Sequence, residues 1–283
     1  MLLLVFAQST AVRFYILKHL APLNDQYISY HLAKCYYKGF GVDCDLKQAK
    51  SWYKKSASKG YARAHYKLGN LYSHRQGQEM GAENNPDFWV DIPLNYKKAF
   101  HRYSLASDAG HLKGCCQVAY FHFKGFGVPR DHAAAFKWYS HAAAKGSPLG
   151  CTWLGCFYSH GAGLEEGKEE PSLLDRWGGV KLDYPTALKY YTMAAEMGNL
   201  TAQTLLGYFY SHGEAAPEET KTHNVNFTKL EKNLNTAIKW YTLAAEQGDL
   251  IAQYYLGYWY LNVQRDQSRA FSWFLRAAQH GFG

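Results

Sequence analysis

The sequence holds no CxxC pair, no run of five basic residues and no stretch of 18 apolar residues. Without a long apolar run, no membrane-spanning helix is expected. Without a basic run there is no polycationic tail, so nucleic acid is not an expected partner. Six cysteines in 283 residues are too few and too irregularly spaced for a disulfide framework, and reduced, buried thiols are expected. Also missing are GxxxxGK[ST] and GxGxxG after a strand, GxSxG, HExxH and a kinase motif set, which removes the usual phosphate-loop and catalytic readings. Acidic residues are outnumbered, 23 against 31 Lys and Arg, giving a net charge of +8 that favours acidic partners.

What is abundant is aromatic: 24 Tyr, 15 Phe and 8 Trp. Many of them recur at fixed offsets. Six segments end in Gly: "AKSWYKKSASKG", "AFHRYSLASDAG", "AFKWYSHAAAKG", "ALKYYTMAAEMG", "AIKWYTLAAEQG" and "AFSWFLRAAQHG". Eleven residues before each Gly stands Ala49, Ala99, Ala135, Ala187, Ala237 or Ala270; seven before stands Tyr53, Tyr103, Tyr139, Tyr191, Tyr241 or Phe274. Ala, aromatics three and four later, and small residues seven and eight later make the apolar stripe of one helix, here helix B. Its closing Gly suits a left-handed C′ position.

A second pattern precedes each: "HLAKCYY", "KLGNLYS", "QVAYFHF", "WLGCFYS", "LLGYFYS" and "YLGYWYL". An aliphatic anchor (Leu32, Leu68, Val118, Leu154, Leu206, Leu256) is followed by Gly or Ala, which lets a neighbour approach closely; this is helix A. Such hairpins bury their faces only by stacking. The predicted fold is all-α, an αα-hairpin solenoid of six repeats wound as a right-handed superhelix. Its boundaries are 27–60, 61–110, 111–146, 147–198, 199–248 and 249–283, after an N-terminal segment 1–26. Anchors lie 36, 50, 36, 52 and 50 residues apart, so the second, fourth and fifth repeats carry polar insertions between their helices, expected to fold over one edge of the stack. The loop "KGFGV" occurs twice in uninserted repeats; Gly39, Gly41, Gly125 and Gly127 serve a tight reversal rather than a phosphate.

These units resemble Sel1-like repeats, relatives of the tetratricopeptide repeat, across residues 27 to 283. "LAKCYYKGFGVDCDLKQAKSWYKKSASKG", "YKLGNLYSHRQG" and "AQYYLGYWY…RAFSWFLRAAQHG" carry the resemblance, with Asp45 and Asp131, and Asp183 in an inserted repeat, at the acid position that opens helix B. Arg102 departs from it, replacing the usual Trp. Residues 11–21, "AVRFYILKHLA", resemble a degraded helix B of an earlier repeat, with Phe14 and Tyr15 as its aromatic pair. The resemblance implies a scaffold or adaptor that binds protein, without an activity, cofactor or metal of its own.

The residues themselves offer little chemistry. "YSH" recurs at Tyr72–His74, Tyr158–His160 and Tyr210–His212. Equivalent positions in stacked repeats stand roughly 8–10 Å or more apart, too far to share a metal, so the His residues are read as caps on the last turn of helix A. Cys115 falls on the anchor's buried side.

Helix A also has a side opposite its anchor, expected to line a concave groove. Read along the array this stripe comprises Lys34, Lys38, Lys67, Asn70, His74, Tyr120, Lys124, Trp153, His160, Tyr208, His212, Tyr255 and Tyr258, together with His31, Gln117, Cys156, Leu205 and Asn262. None is acidic; the first half is basic and the second aromatic. The expected partner is a protein or peptide with acidic and apolar segments. Two other readings stay open: a secreted or cell-envelope factor binding carbohydrate or a host surface, and a thiol- or metal-dependent enzyme built on the array. Reduced thiols favour the cytoplasm, whereas "MLLLVFA", read as the stub of an export signal, favours secretion. The end "QHGFG" lacks a polar capping helix, which raises dimerisation through a terminal repeat.

Overall fold

The computed structural model describes residues 9–73, 92–159, 180, 183–213 and 232–279. The chain forms two compact units, Met1–Trp138 and Tyr139–Gly283. In the first, α1 (Thr10–Leu20) and a 3-10 turn (Ala21–Leu23) lead into α2 (Gln26–Lys38), α3 (Leu46–Ala57), α4 (Ala62–Tyr72), α5 (Tyr96–Asp108), α6 (Leu112–Lys124) and the start of α7 (His132–Ala144). The second holds the rest of α7, then α8 (Pro148–Tyr158), α9 (Tyr184–Glu196), α10 (Leu200–His212), α11 (Leu234–Glu246), α12 (Leu250–Asn262) and α13 (Gln267–Gln279). From α2 onward even numbers are helix A and odd numbers helix B. Within each unit successive helices pack antiparallel, and no strand occurs among the described residues. The chain is thus the helical repeat array that its periodicity predicts.

The repeated residues are its core. All six helix-B alanines and all six helix-A anchors are at most 2% exposed. The small residue after the anchor has a specific occupant. A Cβ added at Gly69, Gly155, Gly207 or Gly257 would stand 2.5–2.7 Å from a ring carbon of Tyr103, Tyr191, Tyr241 or Phe274. Each ring of helix B therefore lies against the bare backbone of its own helix A.

One bond closes every hairpin. The backbone N–H of Asp45, Asn95, Asp131, Asp183, Asn233 and Asp266 donates to the carbonyl of Tyr36, Tyr72, His122, Tyr158, Tyr210 and Tyr260, at 2.8–2.9 Å. The acceptor is always four residues past the anchor, whether or not an insertion intervenes. The same six residues cap helix B, each side chain accepting from a backbone N–H three residues on at 2.8–3.1 Å. Asp45, Asp131 and Asp183 were legible as caps; Asn95, Asn233 and Asp266 are found by the structure. The expected covering of an edge by the insertions falls on residues outside the described ones, apart from these closures.

The glycine loop has a second purpose. Gly41 and Gly127 have φ of 73° and 71°, a conformation that a side chain resists. Beyond that, a Cβ at Gly41 would meet Thr10 O at 2.4 Å, and one at Gly127 would meet Lys97 N at 2.6 Å. Both contacts fall at the first turn of the preceding unit's helix B. α1 accordingly takes the place that α5 takes before the third repeat. Its Leu17 is fully buried and Phe14 meets Tyr36 edge to face at 5.4 Å, while Tyr15 is exposed. The first eight residues, with the suspected export stub, lie outside the described residues.

Candidate functional site

In the first unit the helix-A face is cationic. Lys34 and Lys38 of α2 are exposed, Lys67 of α4 is partly so, and Tyr120 and Lys124 at the end of α6 are half-buried. Lys67 rides over the Tyr66 ring at 5.9 Å and Lys124 over Phe123 at 5.5 Å, contacts that hold an ammonium beside an apolar base. Two further cations join them. Arg13 and Arg63 bear on His31 together with Lys34, and its pKa is lowered first by burial and then by these charges.

His111 records the same field more strongly. It is the N-cap of α6, where Nδ1 accepts from the Gly114 N–H at 3.1 Å, and its ring tilts against Tyr66 at 4.7 Å. Burial first, and then the charges of Arg63, Lys113 and Lys67, push its pKa down to about 4. A protonated imidazole there would lose the cap and add a fourth cation to three. Arg63 and Lys113, five residues before their anchors, share the outward side of the wheel with the stripe but were not among the positions read for it, and were missed. Both occupy the first turn of helix A.

The second unit presents rings. Tyr258 is 56% exposed. Tyr208 is half-buried and stacks on the exposed His212 at 4.1 Å, and His212 Nδ1 lies 3.0 Å from the Tyr208 carbonyl, the cap-like placement expected at the last turn. Trp153 and Tyr255 are partly committed to packing. Trp153 stacks flat on Tyr139 at 5.1 Å and Tyr255 on Tyr241 at 5.0 Å, so each uses one ring face for packing against the preceding helix B.

Three residues of the predicted stripe are not on the surface. Asn70 is 1% exposed and its Oδ1 accepts from the Tyr103 hydroxyl at 2.9 Å. Gln117 and Cys156 are buried as well. A helix in a stack is flanked on both sides, so its outward stripe is narrow. Lys34 and Tyr258, at the same register as Asn70 and Cys156, are long enough to reach water; the short side chains are not. His74 and His160 lie outside the described residues.

The "YSH" serine has a clear role. Ser73, Ser159 and Ser211 place Oγ 3.0, 2.9 and 3.4 Å from the hydroxyls of Tyr103, Tyr191 and Tyr241. No disulfide joins the six cysteines and Cys44 alone is exposed; burial raises Cys35, Cys44, Cys151 and Cys156, the last to about 11, away from an activated thiolate. Among the described residues no group of three His, Cys, Asp or Glu could hold a metal ion, and no helix is long and apolar enough to cross a membrane.

The geometry has counterparts. The chain is 27% identical over 204 residues to chitin synthase regulatory factor 4 of Schizosaccharomyces pombe, a match that covers 71% of this chain and 29% of that protein. It thus spans less than a third of the curated relative. A Sel1 repeat protein from Oxalobacter formigenes superposes with a TM-score of 0.71 at 24% identity, over 94% of this chain and 65% of that one. A protective antigen of uropathogenic Escherichia coli strains shares 28% identity over 90% of this chain and 54% of its own, with a TM-score of 0.49. The Sel1 repeat model matches residues 29–61, 62–88, 90–111, 112–147, 148–170, 174–199, 200–220, 228–249 and 250–282. Three of these segments cover whole hairpins and six are the separate halves of the inserted ones. Proteins built from such repeats are generally protein-interaction scaffolds and typically not enzymes. By its matched segments, its hairpins and their shared closures, the chain belongs to the Sel1 repeat family.

Proposed function

We propose that this chain is a scaffold without catalysis of its own, and that it holds a partner protein against the outward faces of its A helices. Taken unit by unit, the partner sets carboxylates against Lys34, Lys38, Arg63 and Lys67 of the first and apolar side chains against Tyr208 and Tyr258 of the second. The observation that carries this reading is the charge around His111. Three cations from two successive A helices crowd one half-buried ring, a field that attracts an acidic segment and speeds its approach. Rigid exposed tyrosines suit the apolar part, because they order at low entropic cost. The relative named as a regulatory factor of chitin synthase supports an enzyme under regulation as the partner's class.

The test is affinity capture on the purified chain, repeated with two variants. Lys34→Glu with Lys67→Glu reverses the basic face; Tyr208→Ala with Tyr258→Ala removes the rings. A partner retained by the native chain and lost by both, with helicity unchanged, supports the reading. A partner held equally by all three refutes it.

A further inference from the structure

The other side of the first unit carries a second basic cluster, and this one surrounds a cavity. Lys54 of α3 and Lys97, Lys98, His101 and Arg102 of α5 line a space of about 470 Å³ together with Tyr72 at the end of α4. Among the described residues no carboxylate lines it. The volume falls in the range of small-molecule sites, roughly 300–1,000 Å³. Four permanent cations and an imidazole around one space repel each other, and a bound anion relieves that repulsion.

The sequence of α5 sets it apart from its counterparts. Relative to the buried helix-B alanine, positions −2, −1 and +3 are Lys97, Lys98 and Arg102. Elsewhere they are Lys47, Gln48 and Trp52; Ala133, Ala134 and Trp138; Pro185, Thr186 and Tyr190; Asn235, Thr236 and Trp240; and Ser268, Arg269 and Trp273. Only the second repeat is basic at all three. Trp52 and Trp138 pack against the apolar core, so replacing that ring by Arg102 forfeits packing. A merely solvated face needs cations at −2 and −1, which are exposed in any case, but has no need of one at +3. The guanidinium is also felt beyond the cavity. Together with burial, which acts first, its charge lowers the pKa of His65 on α4.

We infer that this cavity between α3 and α5 is a binding site for a compact anion carrying several phosphate groups. A guanidinium fork bonds phosphate oxygens in pairs, and the lysines add point charges whose stems adjust to it. An extended acidic peptide fits less well, since the cations converge on one volume instead of following a groove. The site is independent of the helix-A face and stands or falls without it.

The experiment is isothermal titration calorimetry of the full chain with inorganic tripolyphosphate, at about 150 mM salt so that diffuse attraction is screened. Orthophosphate serves as the single-phosphate comparison. The expected result is saturable one-to-one binding of tripolyphosphate, at least about 10-fold tighter than orthophosphate, because more charged hydrogen bonds form. Arg102→Trp, which restores the residue of the other repeats, should keep its helicity and weaken binding by about 10-fold or more. Lys98→Thr, taking the residue found in α9 and α11, gives the same readout should the tryptophan fail to fold. Lys239→Gln, an exposed base of α11 in the other unit, should leave affinity unchanged. Absence of saturable heat, equal affinity for the two anions, native-like binding by Arg102→Trp and Lys98→Thr, or an equal loss in Lys239→Gln would each overturn the assignment.

Discussion

The Ser159 hydroxyl lies 2.9 Å from the hydroxyl of Tyr191, and both groups are buried. Ser73 with Tyr103 and Ser211 with Tyr241 repeat the pair. In the sixth repeat the ring is Phe274, with no hydroxyl to satisfy, and the serine position is Leu261. The tripeptide "YSH" is therefore half of a conversation between two helices, in which the serine answers the hydroxyl of the facing helix B. Ser159→Ala is expected to cost about 1 kcal/mol, the lower end for a stranded polar group, because Cys156 also bonds Tyr191. Urea unfolding measures it, and Tyr191→Phe in the same chain should recover most of the loss.

Two glycine substitutions separate contact from conformation. Gly155→Ala drives a methyl to 2.5 Å from the Tyr191 ring, an overpacking expected to cost about 1–3 kcal/mol. Gly60→Ala meets nothing within 4 Å but holds φ at 80°, and only backbone strain of about 1 kcal/mol is expected. If the two variants lose the same stability in denaturant, with Gly60→Ala matching the larger figure, the ring-on-backbone contact has been given too much weight.

His111 makes the fold sensitive to mild acid. Its folded pKa of about 4 lies below the ordinary 6.5, so between those values the unfolded chain binds the extra proton. The contribution is complete above pH 6.5 and is lost as pH falls toward 4. His111→Asn keeps a capping side chain without the titration. Its melting temperature should fall less than the native chain's over that window. His31, His65 and His122 are also lowered by burial, so part of the slope should survive.

The thiols are expected to behave as packing groups. Only Cys44 is exposed, and its Sγ donates to the Tyr37 carbonyl at 3.3 Å. In the native chain one cysteine should react with a disulfide reagent near pH ~8, slowly, and the other five only after unfolding. A fast-reacting thiol at neutral pH would revive the thiol-enzyme reading.

The stack could be read from the sequence because its cement is periodic. Ala187, Tyr191 and Leu154 recur at fixed offsets in every repeat, and each is buried for the same reason. What the sequence could not separate is which non-repeated side chain reaches water. Asn70 and Lys34 share a register, yet one is hydrogen-bonded inside and the other exposed; side-chain length decides, and periodicity is blind to it. Arg63 and Lys113 escaped for the opposite reason. They gain importance from the adjacent repeat, through His111, and no pattern within one helix records a neighbour. The contact between Gly127 and the first turn of α5 was likewise invisible in a loop that reads as a simple reversal.

The outward face of helix A is the claim on which the functional reading rests, and lysine footprinting of the captured complex tests it most directly. Lys34, Lys38 and Lys67 lie on that face; Lys137 and Lys239 are exposed on helix B. Acetylation read by mass spectrometry should slow at the first three when the partner is bound and stay as in the free chain at the other two. Protection of Lys137 and Lys239, with Lys34 and Lys67 labelled as before, would contradict it.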